Sequence, residues 1–569
     1  MKTPVLTLLF FNFCMSLSFA QSLEWATSLG GFNHDVGYTV GVDKNGNVFS
    51  AGLFRDMIDL DPGPDSTIVL SNGNNDMFVQ KFDPQGNRLW FRHFGGPFQD
   101  EIRHIKVDEA GNVYCTGNFR GRVDFDPGPD SLIYESQAFS DIFILSLDPD
   151  GQFVSFITMP GSFGESGFAL EFDQGKNIYL AGSMIRAAVG ITKVDMDPGP
   201  DSSFLYPAGR NDVFIVKLDS STQFQWAKRV GGIGVDYAVS MAINDSGHVY
   251  TTGIFEGKVD FDPGPDTLFL TAGFRNAFIL KLDEQGNLMW AKNLGGAGSD
   301  VGLGICLGEN QEVYATGQFE GTADFSPNPG EIVFTSRGGD DIFVQKLGAG
   351  GEIRWTRTLG GFSNENVNDI VYAPQGYVVL VGHAADSIRY AGGADSTWIQ
   401  IKGGRDILIQ KLDSLGNFMA PLFLGGKGAE TGRAIALDED EVFYLTGTFF
   451  DSIYLNPQAD TTFLVAFGVQ DVFVMKMSPD NPLGIDWPTV APVLLYPNPN
   501  QGNFTLEVPE DFSSASMIIR NELGQVVDRQ PIYRRKQALH LPPLPSGLYL
   551  VELRIPGKTP YVGKLVIRQ

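Results

Sequence analysis

Seven acidic residues recur at one position along the chain, four or five residues after a glycine or a glycine pair. Oxygen-rich carboxylates at regular spacing are the ligands that Ca²⁺ prefers, since this ion takes six to eight oxygens. Asp and Glu beside turns also accept hydrogen bonds from backbone N–H groups, which would make the series structural. A third interpretation is a site for a cationic or sugar ligand. The seven candidates are Asp35, Asp100, Glu165, Asp236, Asp300, Glu365 and Glu430.

A second acidic loop, Asp-Pro-Gly-Pro-Asp, occurs four times and then decays along the chain. It stands at 61–65, 126–130, 197–201 and 262–266. In a four-stranded meander, the loop after strand two and the loop after strand four lie at the same end. The sequence therefore predicts that both acidic series lie on one side of the fold, as an acidic face.

Residues for catalysis are harder to find. The six histidines are scattered, and none has metal-ligand spacing with another histidine or a cysteine. The sequence has neither a Gly-x-Ser-x-Gly elbow nor a phosphate-binding loop. Acids that repeat along the whole chain are better explained by the fold than by one catalytic pair. We expect no enzyme, no catalytic residue and no organic cofactor, with a polysaccharide-active enzyme as the alternative.

Composition indicates an exported all-β protein. The 569 residues include 68 glycines and 44 phenylalanines and carry a net charge of −26, which disfavours binding to nucleic acid. Residues 1–20 have the pattern of a signal peptide: Lys2 precedes an apolar run, and cleavage is expected after Ala20. No later segment is long and apolar enough to span a membrane. Cys115 and Cys306 are interpreted as small core residues and not as a disulfide.

A repeat of about 65 residues organises the chain, and each repeat contains four candidate strands. The second strand carries a glycine, the third reads Asp-x-Phe-x-x-Lys, and the fourth often carries tryptophan. The seventh repeat lacks its fourth strand, whereas the segment around Trp25 is a fourth strand without a repeat. We therefore predict that this segment completes the seventh repeat. The glycines are Gly52, Gly117, Gly182, Gly253, Gly317, Gly382 and Gly447.

These features predict a seven-bladed β-propeller over residues 21–480, closed by its N-terminal strand. A linear array of repeats is the alternative. The repeats resemble the bacterial SBBP-type β-propeller repeat, in the glycine pair, the Asp-x-x-Gly-Asn turn, the strand glycine, Asp-x-Phe-x-x-Lys and the tryptophan. The resemblance implies architecture and little about activity.

The C-terminal segment has a different pattern. A proline-rich linker is expected at 481–491, and residues 492–569 alternate like the short strands of a small β-sandwich. This segment resembles the type A sorting domain of the type IX secretion system of Bacteroidota. The residues that carry the resemblance include Tyr496, Pro497, Asn498, Pro499, Gly502, Gly547, Tyr549 and Lys564.

The resemblance implies export across both membranes by the type IX machinery, followed by release or attachment to the cell surface. A generic fibronectin-like module is the alternative. Together these features predict a secreted or surface-attached propeller that serves as a binding or adhesion scaffold. A glycan or a surface protein is the expected ligand, and a calcium-stabilised structural disc is a further alternative.

Overall fold

The computed structural model describes sixteen stretches of the chain. They are residues 22–60, 67–126, 128, 130–188, 190–326, 330–390, 397–401, 403–419, 421–455, 463–478, 494–496, 502–508, 515–520, 526–545, 547–555 and 561–567. The predicted signal peptide at 1–20 and the predicted linker at 481–491 lie outside them. Contacts divide the chain into two compact bodies, Met1–Asp480 and Asn481–Gln569.

The N-terminal body consists of seven four-stranded antiparallel sets, which we call units 1 to 7. β1 (Ser22–Leu29) precedes unit 1, and its partner is described below. Unit 1 contains β2 (Val36–Val42), β3 (Val48–Asp59), β4 (Ile68–Phe82) and β5 (Arg88–Phe94). Unit 2 contains β6 (Glu101–Val107), β7 (Val113–Phe119), β8 (Arg122–Asp124), β9 (Ile133–Glu135), β10 (Asp141–Leu147) and β11 (Phe153–Met159). Unit 3 contains β12 (Gly164–Phe172), β13 (Ile178–Ile185), β14 (Val194–Asp195), β15 (Phe204–Leu205), β16 (Asn211–Leu218) and β17 (Phe224–Val230).

The remaining units repeat this plan. Unit 4 contains β18 (Tyr237–Ile243), β19 (Val249–Asp260), β20 (Phe269–Leu282) and β21 (Leu288–Gly296). Unit 5 contains β22 (Val301–Leu307), a 3-10 turn (Glu309–Gln311), β23 (Val313–Asp324), β24 (Val333–Leu347) and β25 (Ile353–Gly361). Unit 6 contains β26 (Asn366–Ala373), β27 (Tyr377–Ala384), β28 (Ser387–Tyr390), β29 (Thr397–Gln400), β30 (Asp406–Leu412) and β31 (Leu422–Gly426). Unit 7 contains β32 (Thr431–Leu437), β33 (Phe443–Phe449), β34 (Ser452–Tyr454), β35 (Phe463–Val465) and β36 (Asp471–Ser478). In units 2, 3, 6 and 7, two short strands lie between the second and third strands in the sequence and form a hairpin of their own.

Local chemistry explains the strands and their turns. The third strand of unit 2, β10, is buried at every position, because neighbouring sheets cover both of its faces. In the turn after β2, Oδ1 of Asp43 accepts hydrogen bonds from the amides of Asn45 and Asn47, both at 2.9 Å. Gly46 in that turn has a φ of +76°, which glycine adopts without strain. These contacts fix tight hairpins at the end of the fold opposite the acidic loops.

The N-terminal strand completes unit 7, as the sequence predicted. β1 pairs antiparallel with β36, with Leu29 opposite Val472 and Ser22 opposite Ser478. Gly30 then forms a bridge with Asp59 of unit 1. First strands of successive units contact one another, and β32 of unit 7 contacts β2 of unit 1. The contacts between units therefore run in a complete cycle.

The strand glycine packs closely against the first strand of its own unit. A Cβ on Gly52 would lie 1.8 Å from the carbonyl oxygen of Val36, in the first strand of the same unit. That first strand carries a β-bulge at Tyr38, between Gly37 and Thr39. The glycine therefore makes room for a bulge within its own sheet.

The C-terminal body contains two antiparallel sheets. One consists of β37 (Leu494–Tyr496), β38 (Asn503–Glu507) and β41 (Lys536–His540), and the other of β39 (Ala515–Arg520), β40 (Val526–Ile532), β42 (Gly547–Arg554) and β43 (Tyr561–Ile567). Leu506, Met517, Ile519, Val551 and Leu553 belong to one buried cluster. Both sheets therefore contribute to a single hydrophobic core.

Candidate functional site

The seven repeated carboxylates are buried and do not form an exposed acidic face. Each of these residues has a relative exposure of 0%. Six of them accept a hydrogen bond from the amide of a glycine four residues earlier, at 2.7 to 3.2 Å. Asp35 also accepts one from the amide of Arg55, at 3.1 Å. The backbone hydrogen bonds expected from the structural interpretation are therefore present.

A second acidic residue lies beside nearly every member of this series, across the seam between two units. The partner is the aspartate that begins the third-strand motif Asp-x-Phe-x-x-Lys. That motif locates the strand in the sequence, and its aspartate also lies in the seam. The pairs are Asp471 with Asp35, Asp76 with Asp100, Asp141 with Glu165, Asp212 with Asp236, Asp341 with Glu365, and Asp406 with Glu430. In the remaining seam Asn276 stands in the aspartate position, near Asp300. We call these the seam pairs.

Burial and mutual repulsion keep the seam pairs partly protonated near neutral pH. Burial is the larger cause and the neighbouring carboxylate adds to it, so that the pKa of Asp35 rises to about 7 and that of Glu165 to about 9. The pKa of Asp300, whose partner is an asparagine, rises only to about 6. Because each pair shares a small buried volume, protons belong to the pair rather than to one residue.

The glycine pairs exist because the seams are tight. A Cβ on Gly30 would lie 2.0 Å from Cγ of Asp471, and one on Gly31 would lie 1.7 Å from the carbonyl oxygen of Met57. The first glycine therefore admits the carboxylate, and the second admits the backbone of the next unit. The most regular motif of the sequence is a packing device.

The structure describes two of the Asp-Pro-Gly-Pro-Asp loops in full, at 197–201 and 262–266. Aspartate side chains in these loops also accept hydrogen bonds from backbone amides. Oδ1 of Asp260 accepts from the amides of Asp262 and Leu268, at 3.1 and 2.9 Å. Oδ1 of Asp262 accepts from the amide of Gly264, at 2.7 Å. These side chains therefore stabilise the turn that contains them.

Calcium binding by the seven carboxylates stays a prediction. Within the described stretches, no three or more His, Cys, Asp or Glu side chains are grouped so that they could hold a metal ion. Each glycine-bonded carboxylate has already committed one oxygen to a backbone amide. We therefore expect the melting temperature of the full chain at pH 7 to be the same, within about 1 °C, in EDTA and in millimolar Ca²⁺. A bound ion at 100 times its Kd would add about 2.7 kcal/mol, so a clear rise with Ca²⁺ would identify the carboxylates as ligands.

A cavity of about 730 Å³ lies where the first strands of all seven units meet. Each first strand has a β-bulge near its start, and the bulged residue lines this cavity. Unlike the glycines and seam acids, these residues differ from unit to unit. They are Tyr38, Arg103, Phe168, Val239, Leu303, Asn368 and Arg433. We call this set the bulge ring, and the end of the cavity that it lines the mouth.

Two arginines of the bulge ring lie against one aromatic ring. The guanidinium carbons of Arg103 and Arg433 are 4.9 and 5.7 Å from the centre of the Tyr38 ring. Arg103 is also 5.8 Å from the ring centre of Phe168 and forms an ion pair with Glu101. Burial lowers the pKa of Arg433, and the nearby charges of Arg103 and Arg405 lower it further. In the described part of the chain, Nε of Arg103 and Nε of Arg433 are buried without a hydrogen-bond partner.

Deeper in the cavity the polar groups are already paired. Lys106 forms an ion pair with Glu171 at 2.6 Å. Oδ2 of Asp369 accepts from the amide of Ile435 at 3.0 Å, and burial raises the pKa of Asp369 to about 7. Cys306 lines the cavity and is only partly buried, whereas Cys115 is a core residue as predicted. The groups open to a ligand are therefore concentrated at the mouth.

Sequence reasoning missed the bulge ring, although a signal was present. The residue three positions after each repeated acid varies between an arginine, an aromatic ring, an aliphatic side chain and an amide. A position that varies within an otherwise regular repeat is free of the packing constraint that fixes its neighbours. Such a position is where one repeat can differ in function from the next.

The sorting motif lies partly within the described stretches. Tyr496 ends β37, and Pro497, Asn498 and Pro499 fall outside the description. Gly502 has a φ of +93° and its carbonyl oxygen accepts from the amide of Leu541 at 2.8 Å. Gly547 and Tyr549 are in β42, where the buried Tyr549 donates to the carbonyl of Pro545 at 2.9 Å. Lys564 is in β43, opposite Leu550.

Comparisons with known protein families agree with both resemblances. Residues 494–568 match the family model of a secretion system C-terminal sorting domain, and residues 89–118 match that of a β-propeller repeat. The first match indicates a protein exported by type IX secretion, secreted or held at the cell surface. The second match agrees with the all-β, propeller-like arrangement of the units. Among the described residues, no helix has the length and apolar character needed to cross a membrane.

Relatives of known sequence or structure are distant. An uncharacterized WD repeat-containing protein of Acanthamoeba polyphaga mimivirus is 21% identical over 76% of this chain and 36% of its own length. This chain thus spans about a third of that relative. The extracellular domain of a hybrid two-component system from B. thetaiotaomicron aligns with 94% of this chain and 81% of its own, at 11% identity and a TM-score of 0.20. An apocarotenoid oxygenase of Synechocystis aligns with 79% of this chain and 93% of its own, at 11% identity and a TM-score of 0.32.

Proposed function

We propose that the chain is a closed seven-bladed β-propeller with a C-terminal β-sandwich, exported by type IX secretion to bind a ligand outside the cell. In this proposal the seven units are the blades, and the protein is a binding or adhesion scaffold and not an enzyme. A signal peptide at 1–20 would supply entry to the periplasm in a member of the Bacteroidota. The observation that carries the binding role is the bulge ring, which places non-repeated side chains at the mouth of the axial cavity.

The seams between units support a closed ring. Nε1 of Trp90 donates to the carbonyl of Pro149 in the next unit, at 2.9 Å. Nε1 of Trp25, in β1, donates to the carbonyl of Pro84 of unit 1 in the same way, at 3.0 Å. Nζ of Lys476 approaches the same carbonyl at 3.4 Å. The seam that joins the last unit to the first thus repeats the contacts of an internal seam.

The distribution of carboxylates supports binding over catalysis. The acids with strongly raised pKa values in the seams are bonded to backbone amides or face another acid between units. They recur around the whole ring, whereas a glycosidase needs one pair of carboxylates that flank the substrate. A structural role accounts for these acids without a reaction.

Export can be tested by removing the C-terminal body. In a bacterium with type IX secretion, we expect the full chain at the cell surface or in the medium, and a chain that lacks residues 494–569 in the periplasm. Cell fractionation and protease accessibility of intact cells would locate both. Tyr533→Ala is the matched control, because Tyr533 is 67% exposed in the same body and should leave export unchanged. Surface delivery of the shortened chain would contradict the proposal.

A further inference from the structure

The mouth of the axial cavity carries more positive charge than its own side chains neutralise. Arg103 is paired with Glu101. Arg433 forms no ion pair with a described acidic residue, and the nearby positive charges of Arg103 and Arg405 repel it. A partly buried guanidinium without a counter-ion is costly, and more so beside a second cation. An anion from outside the chain would relieve that cost.

This local charge is unusual for the chain as a whole. The net charge is −26, yet Arg103 and Arg433 both lie against Tyr38 at the mouth, and Arg405 is close enough to act on Arg433. Glu101 carries one negative charge and is paired with Arg103, so it cannot balance both guanidinium groups. His383, nearby, stays neutral, because burial first and then Arg405 and Arg433 lower its pKa to about 4. An anion that reaches the mouth therefore meets Arg433, which has no ion pair with a described residue, beside Arg103, which is paired with Glu101.

The rest of the mouth is aromatic or apolar except for Asn368, whose Nδ2 donates to the carbonyl of Gly432 at 2.7 Å. Tyr38 and Phe168 flank Arg103, while Val239 and Leu303 line the opposite side. Tyr38 and Phe168 are the aromatic side chains of the bulge ring, and both line the cavity. Aromatic side chains beside a few polar groups in a pocket mark a ligand surface. Aromatic faces suit the C–H faces of sugar rings, and guanidiniums suit a planar oxyanion.

We propose that the mouth binds an acidic saccharide, whose carboxylate lies between the guanidinium groups of Arg103 and Arg433. The sugar ring packs on the aromatic side chains beside them. This inference rests on the proposed binding function and specifies its ligand class. A sulfate ester offers the same oxyanion chemistry as a carboxylate. The test therefore compares a carboxylated saccharide with a sulfated one.

The test is calorimetric titration of the full chain, at low salt and pH 7. The probes are trigalacturonate, its methyl ester as an uncharged analogue, and a sulfated disaccharide. We expect trigalacturonate to bind, and its methyl ester to bind at least about tenfold more weakly. Arg433→Gln and Arg103→Gln should each weaken trigalacturonate by about tenfold or more, the usual effect of losing a charged hydrogen bond. Arg433→Lys should fall between wild type and Arg433→Gln, since it keeps the charge and loses the planar fork.

Arg354→Gln is the matched control, because it removes one positive charge from an exposed arginine outside the mouth, with its side chain 56% exposed. It should leave the affinity for trigalacturonate unchanged. Melting temperatures of all variants within about 2 °C of the wild type would show that the ring is intact. Absence of trigalacturonate binding at millimolar concentration, or equal weakening by Arg354→Gln, would overturn the inference. Tighter binding of the sulfated probe would assign the site to sulfate esters and contradict the carboxylate.

Two results separate this inference from the proposed function. Binding of the methyl ester as tight as that of the acid would overturn the acidic ligand and leave the scaffold role in place. Release of shorter saccharides during the titration would instead contradict the non-enzymatic role. Either result is read from the same samples, because the products can be separated by chromatography afterwards.

Discussion

We expect a chain without residues 21–31 to melt at least about 10 °C below the chain that keeps them. The deletion removes β1, so β36 keeps β33 but loses its other antiparallel partner and becomes an exposed edge. Leu29, which is 2% exposed, leaves the core, and Trp25 leaves its contact with Phe82 and its hydrogen bond to Pro84. Each of these losses lowers the free energy of unfolding by on the order of 1 to 3 kcal/mol. All of them weaken unit 7 and its seam with unit 1. Thermal unfolding followed by circular dichroism measures the effect.

The control for this deletion adds the missing strand back as a separate peptide. A synthetic peptide of residues 21–31, added to the shortened chain, should pair with β36 and restore part of the melting temperature, in the manner of strand addition. A peptide of the same composition in scrambled order should have no effect. An unchanged melting temperature after the deletion would show that the ring does not depend on β1, and would favour a linear array.

We expect acidification from pH 8.5 to pH 5 to raise the melting temperature by several degrees. The seam carboxylates have pKa values raised to about 6 to 9 in the folded chain, against about 4 when unfolded. The folded chain therefore binds more protons than the unfolded chain between these limits. Stability that is complete at about pH 4 to 5 is lost as the pH rises through the folded pKa values. One group raised by 3 pH units contributes up to about 4 kcal/mol, and coupling within pairs makes the total smaller than the sum.

Unit 4 provides the design of the test, since Asn276 occupies the aspartate position there. Asp341→Asn copies that arrangement in the next seam and removes one of two facing carboxylates. We expect it to stabilise the chain by about 1 to 2 kcal/mol at pH 8.5 and to change little at pH 5. Asp150→Asn, at an exposed turn, is the control of equal charge change and should alter neither value. A melting temperature that rises from pH 5 to pH 8.5 would show that the carboxylates are stabilised as anions.

Regular spacing made the units and the role of β1 predictable. Glycines, tryptophans and the Asp-x-Phe-x-x-Lys motif recur because the same seam is built many times, so a sequence repeat translates directly into a spatial one. Counting the strands of each repeat therefore assigned the extra strand around Trp25 to the seventh repeat. The exposure of the repeated acids was not predictable in this way. An acid at the end of a loop has the same sequence pattern whether it faces solvent or a neighbouring unit. Asp35 was placed in the correct loop, and its burial depends on Asp471, 436 residues away.

The bulge ring was harder to recognise from the sequence for a related reason. Periodicity of two places alternate side chains on opposite faces, and a bulge breaks that count by one residue. Tyr38 and Arg433 therefore point to the cavity only once the register of the first strands is known. The repeated residues predicted the units, and the residues that escape the repeat are those to which we assign ligand specificity in our proposal.

The pairing of β1 with β36 has a consequence for assembly. Synthesis makes β1 first and its partner last, so the strand stays unpaired until six units and most of a seventh exist. Loop closure over that distance is slow, and an open edge at each end is prone to pair with other chains. The pairing of β1 with β36 is thus a late event that depends on the last residues of the N-terminal body. A chain truncated before Ser478 lacks part of the strand with which β1 pairs.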